Sequence, residues 1–458
     1  MDINVVSGSE RGLSHLLREG HVDFPLCSRG RKLLLILVVG IPVALLAFKV
    51  SQIAVAARLG SQMNIEDLRR AIALDPGNAA YYYKLGLVYS YSLDQASLRK
   101  AIKFLRKATE LNPRKALYWS DLAAACDSMN DEACSNPAAE RALSLSPMAP
   151  RFEWRAGNHF LQRGHTGEAL KHFRRLLALD DAYAQPVFRI SLDAVGDPER
   201  VFRKVLPLGS NPHLKLAYLD FASDRGDIDF ANQLWSQISS DGLSCTLAEV
   251  EPYLDRLLSA DDLQQATKVW QDLEQAGVIP KASVGGTKNL VYDGGFEHTP
   301  LNAGFGWRLS DTPYVETDFK DPSAYQGSRC LRVDYAAGQN LESEPVYELV
   351  PVEPHQSFQL RAYVRSDDIT SNSGPRLRVV DPECPACLKV STQTTVGTTP
   401  WHLLTLNFTT GPDTRVIRLS VWRPHSSTFP MEISGSFWLD DVSVEALKPL
   451  SKETVSVR

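Results

Sequence analysis

Long apolar runs are scarce in this 458-residue chain. There is one near the N-terminus and no second run of about 18 apolar residues, so a many-spanning membrane protein is excluded. Cysteine is also sparse: seven residues are too few for a disulfide-built scaffold of this length. Gly 28 and Pro 27 rule out collagen-like or low-complexity character. An excess of basic charge is missing, with 49 Lys and Arg against 54 Asp and Glu, which argues against a dedicated nucleic-acid binder. No P-loop, GxSxG, HExxH or EF-hand loop occurs, so no catalytic constellation announces itself. The length itself fits about three domains.

The apolar run covers residues 33–48, sixteen without a charge. At 1.5 Å per residue it reaches about 24 Å, short of the roughly 30 Å hydrocarbon core, so Lys49 must snorkel and the following residues must extend the helix. Arg29, Arg31 and Lys32 precede it, which predicts a cytoplasmic tail over 1–30, a transmembrane anchor over 31–56 and export of everything beyond. Two readings compete: a signal peptide cleaved after Ala54-Val55-Ala56, and a helix buried in a soluble core.

Cys126 and Cys134 are close enough in sequence to bridge a turn, and Cys384-Pro385-Ala386-Cys387 is a CxxC in a Pro-rich loop without a βαβ context or a second ligand pair. A small disulfide or idle thiols is the expectation there. His165 and His172 flank a turn without an acidic or Cys partner at ligand spacing and read as solvated. Adjacent Asp440 and Asp441 face opposite sides of a strand, so they make no glycosidase pair.

Helical periodicity dominates residues 62–278. The endings at Pro76, Pro113, Pro147 and Asp181 are 37, 34 and 34 residues apart. The residues between them recur at helical spacing: Tyr82, Leu85, Gly86 and Tyr89, then Ala101, Leu105 and Ala108, with Trp119, Leu122 and Ala123 opening the next unit. A small residue such as Gly86 lets a partner helix approach. About six helical hairpins follow, each burying its neighbour's apolar face. This pattern resembles the tetratricopeptide repeat. The resemblance implies a superhelical scaffold with a protein-binding groove, whose lining positions include Tyr83, Ser120, Trp154 and Asn158, with Leu87 and Ala124 beside them. The groove reads as neutral and aromatic, unlike a basic carboxylate clamp.

Composition shifts near residue 279. A stretch of small and turn-forming residues over 279–287 reads as a linker, and alternating runs follow at 358–365, 376–380, 402–408, 416–422 and 437–444. Short strands separated by turns predict a jelly-roll sandwich over 288–447, leaving a tail at 448–458. The opening from Asn289 to Glu297 with Gly306-Trp307, the segment 324–333, the run 360–366 and the closing 437–444 resemble, in order, a carbohydrate-binding module of the family 4/9/22 type. That resemblance implies sugar rings stacked on aromatic faces, for which Tyr314, Tyr325, Tyr335 and Trp422 are candidates, while Trp307 and Trp401 fall at core landmarks. It also implies a structural calcium ion held by Glu297 with Asp440 or Asp441. Strict alternation would place Asp440 on the same inward face as Val442 and Val444.

The expected architecture is therefore a single transmembrane helix, an all-α helical-repeat solenoid of tetratricopeptide type, then an all-β jelly-roll sandwich. The expected role is non-catalytic: a bacterial inner-membrane scaffold, bulk outside the cytoplasm, serving polysaccharide biosynthesis, export or attachment, with protein and glycan as partners. A scaffold for a secretion or division complex, with the sandwich as spacer, is the alternative.

Overall fold

The computed structural model describes residues 29–447 except 93, 208 and 282–288. Most of the expected N-terminal tail, the C-terminal tail and most of the expected linker therefore lie outside the described residues. The chain divides into two compact units, Met1–His159 and Phe160–Arg458.

In the first unit, α1 (Arg29–Ser61) is one unbroken helix of 33 residues. At 1.5 Å per residue it is about 50 Å long, more than a bilayer core requires. Its segment Leu33–Ser61 is long and apolar enough to cross a membrane, and Leu33, Ile36, Leu46 and Phe48 are exposed. Its last turns belong to the repeat instead. Ala56 is fully buried and clusters with Ala71 and Tyr81, and Lys84 Nζ donates to the Gly60 carbonyl at 2.5 Å.

Helices α2 (Ile65–Leu74), α3 (Ala79–Ser90), α4 (Gln95–Leu111), α5 (Ala116–Asp127) and α6 (Glu132–Leu145) follow, then α7 (Pro150–Gln162). Side chains at Asn64, Asn78, Asp94 and Asp131 accept from the first free backbone N–H groups of their helices and set their starts. The expected pattern residues form the core: Leu85 and Ala101 are fully buried with Leu68 and Tyr89, and Leu105 packs on Leu122 and Ala123. A disulfide joins Cys126 to Cys134 across the α5–α6 turn.

The second unit continues the helical series: α8 (Thr166–Leu179), α9 (Ala184–Val195), α10 (Pro198–Val205), α11 (Pro212–Asp224), α12 (Ile228–Ser240), α13 (Leu247–Ser259) and α14 (Leu263–Gln275). Large aromatics share its core with small residues such as Ala231 and Ala266. Tyr218 meets Phe188 edge-on at 4.7 Å, and Trp235 is fully buried with Nε1 donating to Asp272 at 2.8 Å. His172 is buried and stacks on Phe160 at 5.2 Å. It is not a solvated surface histidine, because the apolar stripe of α8 carries it inward.

The sandwich strands are β1 (Arg308–Leu309), β2 (Val315–Asp321), β3 (Cys330–Gln339), β4 (Ser343–Pro351), β5 (Ser357–Ile369), β6 (Arg376–Val380), β7 (Lys389–Ser391), β8 (Gly397–Thr409), β9 (Val416–Arg423) and β10 (Ile433–Ala446). They form two five-stranded antiparallel sheets, ordered β1-β4-β9-β6-β7 and β2-β3-β10-β5-β8. Alternate residues such as Phe358, Leu360, Ala362 and Val364 fill the core between them.

The sandwich is packed directly on the last repeat. Trp270 of α14 meets Tyr292 at 5.2 Å and Phe305 at 5.9 Å. Arg308 reaches Asp255 of α13 at 3.1 Å. Gly304 has φ +52, and a Cβ there would collide with Trp270 and Leu254.

Candidate functional site

An aromatic cluster stands on the outward face of the sheet β2-β3-β10-β5-β8. The Tyr325 ring stacks on Tyr363 of β5 at 3.6 Å with 13° between planes, and Trp401 of β8 lies 6.0 Å from Tyr325. Tyr325 stays 38% exposed, enough to offer an open ring face. Trp401 is half-buried rather than a core residue, because residues 402, 404, 406 and 408 of β8 turn the other way, toward the sandwich interior.

Tyr325 sits in a loop fixed at both ends by carboxylates. Tyr325 and Gln326 backbone N–H groups donate to Asp440 Oδ2 at 2.8 and 3.0 Å, and Asp441 N–H donates to Oδ1 at 2.7 Å. On the far side, Ser328 donates to Glu297 through its N–H at 2.7 Å and its hydroxyl at 2.5 Å. Gly327 between them has φ +73, and a Cβ there would strike Glu297 Oε1. Burial pushes the Asp440 carboxyl above its ordinary pKa, although the three amides favour its charged form. Against partial burial, the bonds from Ser328 and the Arg329 N–H hold Glu297 below the usual carboxylate range.

Glu297 and Asp440, two of the residues expected to hold calcium, hold the aromatic loop through these bonds. Glu297, Asp440 and Asp441 do not bring their oxygens together within 4.8 Å; among the described residues the trio that does is Cys126, Asp131 and Cys134. There the two sulfurs are spent in the disulfide. Asp440 also faces the opposite way from expectation. Phe437 and Leu439 point inward, then Val442 and Val444 do, so the alternation breaks between them. The register shifts between Asp440 and Ser443, and Asp441 has φ +48. This bulge leaves Asp440 opposite Tyr363 on the outer face, buried under the Tyr325 loop.

The other stacking candidates separate. Tyr335 lies in the sandwich core and presents no open face, because it shares the inward parity of Leu331 and Val333. Tyr314 is 58% exposed, with no ring contact among the described residues, at a loop position with φ +63. Trp422 of β9 lies on the opposite sheet beneath two guanidiniums, Arg378 at 4.5 Å and Arg376 at 5.6 Å.

In the repeat, the groove candidates form a charged network. Tyr83 stacks on Tyr118 at 4.4 Å and donates to Asp121 Oδ2 at 2.6 Å. Arg155 bonds Asp121 Oδ1 at 2.5 Å and Ser120 Oγ at 2.7 Å. Burial and the Asp121 carboxylate raise the Tyr83 pKa. Asn158 donates to the Trp154 carbonyl at 2.7 Å, so its amide supports α7. Beside the positions read as lining the groove, Asp121 and Arg155 form an ion pair that adds polar groups but no net charge. His159, which carries no spacing motif, is buried between Asp127 at 2.7 Å and Asn136 at 2.8 Å.

No family model matches the chain, and no curated protein matches it. Among solved structures, MamA is similar at 17% identity over 34% of this chain and 87% of its own, with TM-score 0.29. YrrB, described as a TPR protein with an unusual peptide-binding site, aligns at 18% identity over 33% of this chain and 89% of its own, TM-score 0.26. A CBM4 structure aligns at 14% identity over 34% of this chain and 99% of its own, TM-score 0.26. The chain is a helical-repeat region followed by a two-sheet β-sandwich.

Proposed function

We propose that this chain is a non-catalytic, membrane-tethered scaffold that binds a protein on its helical repeat and a glycan on its sandwich. Its place is a bacterial inner membrane, with the bulk outside the cytoplasm, in polysaccharide biosynthesis, export or attachment. The observation that carries the glycan reading is the Tyr325–Tyr363–Trp401 cluster. Rings pre-placed on a strand and a clamped loop bind a flat sugar face with little ordering cost. Two disulfides, Cys126–Cys134 and Cys384–Cys387, support an oxidising compartment. The burial of Ala56 and Leu59 against the first repeat supports an uncleaved anchor, since cleavage after Ala56 would cut the helix inside that cluster.

The test is binding of the detergent-solubilised full chain to an array of neutral and acidic glycans, with Tyr325→Ala and Trp401→Ala alongside. Loss of at least tenfold in affinity for the bound sugar in both variants is expected. Absence of any glycan binding by the folded wild-type chain would leave the second reading, a protein scaffold with the sandwich as spacer. That reading has its own support in the rigid seat of the sandwich on Trp270. A periplasmic reporter fused after residue 447 should be active; activity of a cytoplasmic reporter there would overturn the orientation.

A further inference from the structure

The outward face of the sheet β1-β4-β9-β6-β7 has a chemistry unlike the tyrosine cluster. Arg376 and Arg378 of β6 lie against the Trp422 ring, and Arg418 of β9 lies 3.6 Å from the Tyr347 ring centre. Glu344 joins two of the three, bonding Arg378 and Arg418 at 2.6 Å each. Glu342 accepts from the Trp422 indole N–H at 2.9 Å and stands 3.9 Å from Arg378. Arg376 has no carboxylate partner among the described residues; its contact is Ser373 Oγ at 3.5 Å. Lys389 of β7, opposite Val380, adds an exposed charge at the edge of the same face. Four cations are thus set against two carboxylates.

The face also holds donors that the fold does not use. Nε of Arg376, Arg378 and Arg418 and Oγ of Ser420 are buried without a hydrogen bond among the described residues. Arg423, next to Trp422 but turned inward, shows the contrast. Its guanidinium is met by the carbonyls of Ser373, Leu341 and Met431. The aromatic rings hold the outer guanidiniums within 3.6–5.6 Å of their centres, which limits where the remaining N–H groups can point. Guanidiniums held this way match a carboxylate in two-point geometry and stay charged at any physiological pH. The unbonded Nε and Oγ atoms lie beneath the surface, so what the face offers a ligand is the part-exposed Arg376, whose guanidinium has no carboxylate partner among the described residues.

We propose that this face binds an acidic polysaccharide, a uronate-containing chain whose carboxylate is taken by Arg376. The inference rests on the glycan-binding reading and adds a ligand class and a second face to it. The surplus of positive charge is small, which suits singly charged sugar carboxylates spaced along a chain. Hydroxyls of the sugar would meet the Glu342 and Glu344 edges, and salt would weaken the binding as counterions compete.

The experiment uses the full-length chain with oligogalacturonate and alginate fragments as acidic probes and malto- and cello-oligosaccharides as neutral ones. Arg376→Gln should reduce affinity for an acidic probe at least tenfold, with melting temperature unchanged. Arg376→Lys should restore part of it, since charge returns without the fork. Tyr325→Ala should leave acidic binding at this face intact. Acidic binding that is unaffected by Arg376→Gln, or neutral-sugar binding with no acidic binding, would overturn the inference while leaving the glycan reading in place. No binding to any probe by the folded chain would overturn both. Should Arg376→Gln melt early, Lys389→Gln with Arg376→Lys serves as the second variant, and undiminished acidic binding by it also overturns the inference.

Discussion

Gly86 offers a sharp test of the repeat register, because the cost of adding one methyl group can be worked from the structure. A Cβ at Gly86 of α3 would lie 2.7 and 2.9 Å from Leu105 Cγ and Cδ2 of α4, and 3.2 Å from the Leu105 backbone nitrogen. The side chain has little room to yield, since Leu105 is fully buried against Leu122, Ala123 and Cys126. The helices must therefore part. Two effects of opposite sign compete. Alanine in a helix interior is favoured over glycine by about 0.8–1 kcal/mol. Overpacking a close contact costs about 1–3 kcal/mol. The steric term wins, and Gly86→Ala should lose about 1 kcal/mol in urea unfolding followed by circular dichroism. Gly167, near the start of α8, has no atom within 4 Å of its would-be Cβ. Gly167→Ala should gain up to about 1 kcal/mol.

The decisive measurement is a double-mutant cycle. Leu105→Ala alone should cost about 2–5 kcal/mol through the cavity it leaves. In that background the methyl of Gly86→Ala no longer meets Leu105 Cγ and Cδ2, and only its 3.2 Å approach to the backbone nitrogen opposes the propensity gain. The same substitution should therefore cost clearly less in the Leu105→Ala background than in the natural chain. A stabilising Gly86→Ala in the natural chain, or effects that simply add, would refute the assigned contact.

Glu348 is fully buried, with Oε1 accepting from the Tyr292 N–H at 2.7 Å and Oε2 unbonded among the described residues. Burial, and then the nearby Asp293, raise its pKa well above the ordinary value, so the fold retains a proton that the unfolded chain releases. Its stabilising contribution is complete below the unfolded pKa of about 4.3 and is lost as pH rises through the folded value. Glu348→Gln should raise stability at neutral and higher pH by about 1–3 kcal/mol and flatten the pH slope; an unchanged slope would count against the burial argument. Asp440→Ala should cost about 1–3 kcal/mol per amide left without an acceptor, read as a lower melting temperature, and weaken sugar binding at Tyr325; unchanged melting would contradict the clamp. Reducing Cys126–Cys134, whose sequence separation is 8, should destabilise the first unit by about 2.5 kcal/mol on the loop-entropy relation, read as a lower melting temperature in reductant and in the Cys126→Ala/Cys134→Ala chain.

Much of the architecture is readable in the residues themselves. The 34-residue period survives in the sequence because helix contacts demand small residues at fixed places, and Gly86 with Ala101 and Ala108 meets that demand. The strands are readable because one face of each is buried, which enforces alternation. Tyr335 was readable by the same rule, since it keeps step with Leu331 and Val333. Other features have no local signal. The continuity of α1 into the first repeat depends on Ala56 finding Ala71 and Tyr81 from elsewhere in the chain. The arginine face depends on strand order: β6 and β9 are neighbours in the sheet but 35 residues separate Val380 from Val416. Spacing along the chain cannot bring Arg376, Arg378 and Trp422 together; only the sheet topology does.

The Asp440–Asp441 step shows how a single irregularity couples fold to function. A strand read by strict alternation sends Asp440 inward with Val442 and Val444, and a buried carboxylate then calls for a metal. One extra residue changes the parity. Phe437 and Leu439 fill the core from one side of the bulge, Val442 and Val444 from the other, and Asp440 is left on the outer face. The carboxylate is still buried, but by backbone: the Tyr325 and Gln326 amides close over it. The same N–H groups that satisfy the charge fix the loop, and the fixed loop lays Tyr325 on Tyr363, the residue paired with Asp440 across the sheet. The strand irregularity, the buried acid and the exposed ring stack are one construction. Its chemistry is that of a positioned aromatic surface.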